Sequence, residues 1–329
     1  YFSFVFSSIY AGLLKTKGNY DLIIVTSPPL FVGITGYLLS RINRIPYVFE
    51  IRDLWPESAI DTGVLKNKLI IKFAFWFEGF IYKRAKLINV LTPAFKDKLI
   101  KIKNVPKEKV ILIPNASDFS LAEKILKDSS FDALNFKKEL GLENKFVITY
   151  VGAHGVANHL IQLIDAAEKL QNTNIVFQLI GSGMRKEFLQ KEVIKRSLSN
   201  VIFREPIPKS EVFKYILASD VGASVLKNVE TFKTIYSNKT FDYMSCKKPT
   251  LLVIDGVSRE LIETAKCGVF AEPENPLSIA NKSKEMSTLE KSDLNQMGLN
   301  GYNYARENFD RVKLSKKYIQ EINTIVNDK

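Results

Sequence analysis

The sequence predicts an α/β protein made of two doubly wound parallel sheets, each covered by helices on both faces. Three observations carry that expectation. Apolar, β-branched runs of strand length alternate with helix-length stretches in both halves of the chain. A stretch with little pattern, roughly Ala116 to Asn144, separates the halves. The expected strands end in Gly, Ser, Thr, Pro or charged residues, the composition suited to ligand binding beyond the carboxyl ends of parallel strands. With 329 residues and 46% hydrophobic side chains, the chain is long enough to bury two cores of domain size.

The elements follow in order. An opening helical segment sets Phe2, Phe4, Phe6, Ile9, Leu13 and Leu14 ahead of Lys15 and Lys17. First-half strands are read in YDLIIVTSPP from 20, PYVFEIRDLWP from 46, KLINVLTP from 86 and KVILIPNA from 109. Second-half strands are read in FVITYVGAHG from 146, IVFQLIGSG from 175, VIFREPIP from 201, VGASVL from 221, PTLLVI from 249 and GVFAEP from 268. This places a first domain at 1–120, a linker at 121–145, a second domain at 146–312 and a last helix at 313–329. The strand ends carry Ser27, Arg52-Asp53, Thr92, Asn115, His154-Gly155 and Gly181 to Gly183, which a cleft between the domains would collect.

The stretch from Tyr236 to Ile254 is the most informative. Ser237-Asn238 reads as a helix start, so that Lys239 and the first backbone N–H groups face an anion at the positive end of the helix dipole. Asp242 follows three residues later on the same face, suited to two adjacent hydroxyls as on a ribose. The pair points to a nucleoside diphosphate. The plain alternative is a capped helix with a solvated i,i+3 ion pair.

Charge and composition narrow the partners. Residues 1–120 hold 17 Lys+Arg against 9 Asp+Glu, so the first half supplies +8 of the net +12. Between Lys66 and Lys86, basic residues interleave with Phe73, Phe75, Trp76, Phe77, Phe80 and Tyr82, a pattern suited to an anionic membrane surface or to a helix packed on its sheet with charged ends in water. No nucleic-acid recognition motif accompanies the basic charge, so nucleic acid is not expected as a partner. Cys246 and Cys267 lack metal-ligand spacing and read as reduced structural thiols of a cytoplasmic protein. With only His154 and His159 as histidines, no metal site is expected. No apolar run reaches about 18 residues, so no membrane span is expected.

Taken together, TSPPLFVG at 26, YVFEIRDLWPES at 47, NVLTPAFKDKL at 89, VILIPNASD at 110, YVGAHGVANHLIQLIDAAEKL at 150, LIGSGMRKE at 179, REPIPKSEV at 204 and SNKTFDYMSCKKPTLLV at 237 resemble the retaining glycosyltransferases of the two-Rossmann-domain GT-B type, family 4. The resemblance covers essentially the whole chain. EIRDLWPES with SNKTFDYM is similar to the subgroup that adds amino or deoxy sugars to bacterial surface polysaccharides. Members of the family open with a strand, a Gly-rich loop and two further βα units not found here, so the resemblance implies a first domain lacking its N-terminal section. It also implies that the last helix, roughly Leu314 to Val326, crosses back to the first domain.

The site residues implied are these. Lys239 neutralises the leaving diphosphate, with Ser237 and Asn238 at the helix mouth. Asp242 holds the ribose, in the second position of the family's paired-carboxylate motif, whose first position falls on Thr234. Arg204 and Ile207 hold the base, usually uracil. Gly152, Gly155, Gly181 and Gly183 line the donor loops. The family's Arg and Lys after the first strand of the second domain are missing from GAHGVANHL, leaving His154, backbone near Gly155 and Asn158 as substitutes. On the acceptor side stand Ser27, Arg52, Asp53 and Glu57. Arg52 could hold an acceptor phosphate, or an internal Arg52–Asp53 or Arg52–Glu57 clamp could simply shape the loop. The expected activity is metal-free, cofactor-free transfer of a hexose, or of an N-acetylamino or deoxy hexose, from a UDP-sugar to a polyprenyl-diphosphate-linked saccharide at the inner face of the cell membrane. A nucleotide-sugar epimerase of the same architecture and a non-catalytic nucleotide-sugar-binding subunit are the alternatives.

Overall fold

The computed structural model describes residues 2–16 and 18–327; Lys17 and the side chain of Phe2 lie outside the described residues. The chain divides into an N-terminal unit, 1–114 with 312–329, and a C-terminal unit, 115–311.

The N-terminal unit runs α1 (Phe2–Leu14), β1 (Ile23–Ser27), α2 (Val32–Asn43), β2 (Tyr47–Ile51), α3 (Glu57–Asp61), α4 (Lys68–Arg84), β3 (Leu87–Val90), α5 (Pro93–Asp97), a π-helical turn over Lys98–Ile102 and β4 (Val110–Leu112). Its four parallel strands lie in the order β1-β2-β3-β4, with Ile23 opposite Tyr47 and Val48 opposite Leu87. Val48, Phe49, Ile51, Ile88 and Val90 are fully buried, as a parallel sheet covered on both faces requires. Asn67 caps α4, accepting from the N–H groups of Leu69 and Ile70. The rings of α4 divide between two faces. Phe77 and Tyr82 are buried with Ala74 and Ile81, while Phe73, Phe75 and Trp76 are exposed. On α1, Val5 is buried and Phe4, Phe6 and Leu14 are exposed.

The C-terminal unit runs α6 (Phe119–Lys127), α7 (Ala133–Glu139), β5 (Phe146–Val151), α8 (Ile161–Lys169), β6 (Ile175–Ile180), α9 (Lys186–Lys195), β7 (Val201–Arg204), α10 (Lys209–Ala218), β8 (Val221–Val225), a 3₁₀ turn over Glu230–Thr234, α11 (Asn238–Ser245), β9 (Thr250–Val253), α12 (Val257–Ala265), β10 (Gly268–Phe270), α13 (Pro276–Ser287) and α14 (Lys291–Asn308). The final helix, α15 (Arg311–Asn327), passes to the N-terminal unit, where Ile325 is buried with Val48 and Leu87. The six parallel strands are ordered β10-β9-β8-β5-β6-β7.

The expected linker at 121–145 is corrected. It holds α6 and α7, which start on Asp118 and Asp132; those carboxylates accept from the N–H groups of Ser120 and Asn135. Phe119, Ala122 and Ile125 give α6 a buried stripe at helical spacing within the C-terminal unit. The division between the units accordingly falls at 114/115 rather than at 120.

Candidate functional site

The strand order fixes where the site can lie. From β5 the chain steps outward to β6 and β7, then returns to β8 on the other side of β5 and steps outward again. The loops after β5 and β8 therefore part, opening a crevice beyond their carboxyl ends.

Glycines let the loops after β5 and β6 touch. At Gly181 (φ +143°) a Cβ would stand 2.0 Å from the carbonyl oxygen of Gly152, and at Gly152 (φ +144°) one would stand 2.7 Å from Cε of Lys239. The loops are tied through His154, whose N–H donates to the Ser182 carbonyl (2.8 Å) and whose carbonyl accepts from the Arg185 N–H (2.9 Å). Its imidazole is fully buried against Tyr150 and Phe203, and neither ring nitrogen has a hydrogen-bond partner among the described residues. Burial, helped by nearby Lys186 and opposed by Glu205, pulls its pKa down to about 4. The imidazole is therefore neutral near pH 7. It can donate or accept one hydrogen bond, but it cannot supply the positive charge of the absent Arg and Lys.

Lys239 and Asp242 both lie on α11, yet each is paired elsewhere, which corrects the simple i,i+3 ion pair. The Lys239 ammonium donates to Asn158 Oδ1 (3.2 Å) and lies 5.1 Å from the centre of the Tyr150 ring. Burial brings its pKa down to about 8, against the opposing pull of Asp242. Asp242 pairs with Lys209 (3.2 Å), and burial raises its pKa despite that cation. Ser237 precedes the helix but does not cap it with its side chain. Its buried hydroxyl meets Ser224 (3.2 Å), and its N–H donates to Ser258 Oγ (3.3 Å). By helix geometry the N–H groups of Asn238 and Lys239 have no acceptor within the helix.

Arg204 ends β7 with its Nε donating to Gln178 Oε1 and its carbonyl accepting from Gly181 N–H (3.2 Å). Ile207 packs, half-buried, on the cluster around Phe213 and Tyr243. The Thr234 hydroxyl donates to the Thr231 carbonyl (2.6 Å). Gly155 leads toward Asn158, whose Nδ2 would lie 3.7 Å from a Cβ there. Thus the structure joins Gly152, His154, Gly181, Gly183, Arg204 and Lys239 in one connected loop cluster, with Asp242 one helical turn away. Sequence reasoning missed Lys186 and Lys209, whose partners Glu205 and Asp242 are tertiary or loop neighbours that no periodicity marks.

In the N-terminal unit, the Ser27 carbonyl accepts from Arg52 N–H (2.9 Å). The Arg52 guanidinium lies 3.9 Å from Glu50, Asp53 accepts from Ser58 Oγ (2.7 Å), and Glu57 pairs with Lys103 (2.7 Å) and Lys98 (3.3 Å). Burial raises the pKa of Asp53. Glu57 is held below the ordinary range because the two lysines outweigh its burial. Among the described residues, no group of three His, Cys, Asp or Glu side chains could hold a metal ion, and no helix is long and apolar enough to cross a membrane.

Two parallel-sheet units, one with a glycine-lined, cation-bearing switch point, define the GT-B class of α/β proteins. Residues 132–304 match the family Glycosyl transferases group 1 and residues 2–116 match the Glycosyl transferase 4-like domain; the chain belongs to this glycosyltransferase family. It is 28% identical over 204 residues to WcaI of Escherichia coli K12, described as a colanic acid biosynthesis glycosyl transferase. That match covers 61% of this chain and spans about half, 49%, of the relative's length. It is 22% identical over 278 residues to WbjE of Pseudomonas aeruginosa, described as a glycosyltransferase, covering 83% of this chain and 68% of that one. Among solved structures, Anabaena Alr3699/HepE in complex with UDP is similar with a TM-score of 0.79 at 18% identity, over 98% of this chain and 82% of that one. Sucrose-phosphate synthase from Thermosynechococcus elongatus is similar with a TM-score of 0.75 at 16% identity, over 99% and 78%. These likenesses show the fold.

Proposed function

We propose that this protein is a retaining glycosyltransferase that moves a hexose, or an N-acetylamino or deoxy hexose, from a UDP-sugar to a polyprenyl-diphosphate-linked saccharide at the inner face of the cell membrane. The observation that carries the reading is that the Lys239 ammonium, at the start of α11, packs against the glycine loop after β5, on which His154 holds a buried, unpartnered imidazole. Breaking a sugar–diphosphate bond builds negative charge on the leaving phosphate, and preorganised donors there favour the transition state. Lys239 and the α11 amides take the diphosphate, His154 adds one neutral hydrogen bond, and Asp242 accepts from the ribose hydroxyls. Arg204 and Ile207 border the base. The leaving phosphate itself takes the acceptor's proton, so no general base is required. Support for UDP comes from Alr3699/HepE, solved with UDP and with UDP-glucose, and support for polysaccharide assembly comes from the description of WcaI.

The test offers UDP- and GDP-sugars with and without a polyprenyl-diphosphate-linked saccharide. UDP release that depends on the acceptor is the expected result. Interconversion of donors without acceptor indicates the epimerase instead, and binding without turnover indicates the binding subunit.

A further inference from the structure

Helix α4 is apolar on two faces, and only one of them is used. Ala74, Phe77 and Ile81 are buried, with Ile81 lying over Gly33, where a Cβ would stand 2.8 Å from it. On the other side, Leu69, Phe73, Trp76 and Phe80 are spaced by four, three and four residues, which aligns them along about 16 Å of helix. Their rings form a continuous strip, with Phe73 and Trp76 5.7 Å apart and Trp76 and Phe80 5.8 Å apart. Leu69 is 78% exposed, Trp76 61% and Phe73 50%. A lone exposed leucine needs no explanation, but a tryptophan-centred strip does.

The charge around the strip identifies what covers it. Lys66, Lys68 and Lys72 at one end and Lys83 and Arg84 at the other are exposed, and the Arg84 guanidinium sits 3.9 Å from the Phe80 ring centre. The one acid on α4, Glu78, is buried and bound to Lys103 and Tyr82. The outer surface of this helix therefore carries no negative charge. Across the N-terminal unit, 21 Lys+Arg stand against 10 Asp+Glu, whereas the C-terminal unit has 26 against 25. Two copies meeting through this face would bring like charges together. Aromatic rings between flanking cations match the headgroup layer of an anionic bilayer, rings below and ammonium groups among phosphates.

We propose that the Leu69–Phe73–Trp76–Phe80 strip of α4 seats the N-terminal unit on an anionic lipid bilayer, with α4 lying in the interface plane. This deepens the lipid-linked-acceptor reading, on which its purpose rests, while its geometry stands apart from the nucleotide crevice.

The test is co-sedimentation of the full chain with vesicles of phosphatidylcholine alone or mixed with phosphatidylglycerol, together with tryptophan emission in a Trp55→Phe background so that Trp76 alone reports. Binding to the anionic vesicles with a blue shift of Trp76 is expected, lost in about 0.5 M salt. Phe73→Ser/Trp76→Ser, at exposed positions, lowers partition by about tenfold or more, and Lys68→Glu/Lys72→Glu weakens it while leaving neutral vesicles unbound. The proposal is overturned if wild type stays in the supernatant, if it binds neutral vesicles equally, if the serine variant pellets like wild type, or if the strip instead drives dimerisation measured by sedimentation equilibrium. UDP binding is measured in parallel. UDP binding without vesicle binding sinks this inference alone, and vesicle binding without UDP binding sinks the proposed chemistry alone.

Discussion

The two units use their polar and apolar residues in opposite ways. The C-terminal unit is nearly neutral, with a buried imidazole and a desolvated ammonium beside loops that only glycine can close. The N-terminal unit carries almost the whole net charge, shows aromatic rings on its surface and places its ionic cluster inside: Lys103 bonds Glu57 (2.7 Å) and Glu78 (2.6 Å), and Tyr82 donates to Glu78 (2.8 Å). A buried polar group with internal partners is satisfied by the fold, whereas one without them carries an uncompensated desolvation cost. Lys103 is of the first kind and the His154 imidazole of the second.

The sharpest way to break that contrast is to remove the cation from the scaffold. Lys103→Met leaves the buried Glu78 carboxylate without its cation, beside a half-buried Glu57 that keeps Lys98, and stability of the N-terminal unit is expected to fall by about 3–5 kcal/mol, read as a lowered unfolding midpoint in urea. A change below about 1 kcal/mol would mean that the cluster is solvated and the contrast unfounded.

Lys239→Met reverses the outcome. Removing a desolvated ammonium that hydrogen-bonds Asn158 and lies over the Tyr150 ring is expected to leave the melting temperature unchanged or slightly raised, while UDP affinity by calorimetry falls by about 30- to 100-fold, or about 2–3 kcal/mol. Because the free ammonium has a pKa of about 8, wild-type affinity for UDP is expected to decline as pH rises through that value. Affinity constant from pH 7 to 9.5 would remove Lys239 from the phosphate site.

His154 gives the next largest effect, in stability rather than affinity. Its pKa is about 4 when folded, below its ordinary 6.5, so between those values the unfolded chain binds the proton and the native protein does not. Stability from this group is complete above pH 6.5 and is lost as pH falls toward 4, by about 2 kcal/mol at pH 5. His154→Phe is expected to flatten that part of the pH–stability curve. If the variant keeps the wild-type slope, other groups carry it.

What was legible in the sequence follows from what periodicity reports. The strands around Ile148, Phe177 and Leu251 were readable because a buried parallel strand is a short apolar run bounded by Gly, Pro or Ser. The glycines at 152, 181 and 183 and the cation at 239 were readable because they sit at strand and helix ends. The short helices α6 and α7 were missed, since Asp caps and few apolar positions look like a loop. The Lys209–Asp242 pair was missed because its partners are 33 residues apart on different helices, a relation set by packing. The sequence does not decide between burial and a membrane for the exposed face of α4, because a helix apolar on both sides has no face that the sequence alone marks as outward.

The smallest expected effect sharpens the contrast most. In Phe73→Ser/Trp76→Ser, both rings are at least half exposed and touch mainly each other and neighbouring rings of the same helix, so little buried apolar area is lost. Surface changes of this kind move stability by about 0.5 kcal/mol or less per site, and the urea midpoint is expected to stay within about 1 kcal/mol of wild type. Phe77→Ser, four residues from Phe73 on the buried side and stacked on Phe31, is the internal control and is expected to cost several times more. Equal losses at the two faces would show that the outer strip is core in solution, and the N-terminal unit would then have no surface reserved for lipid.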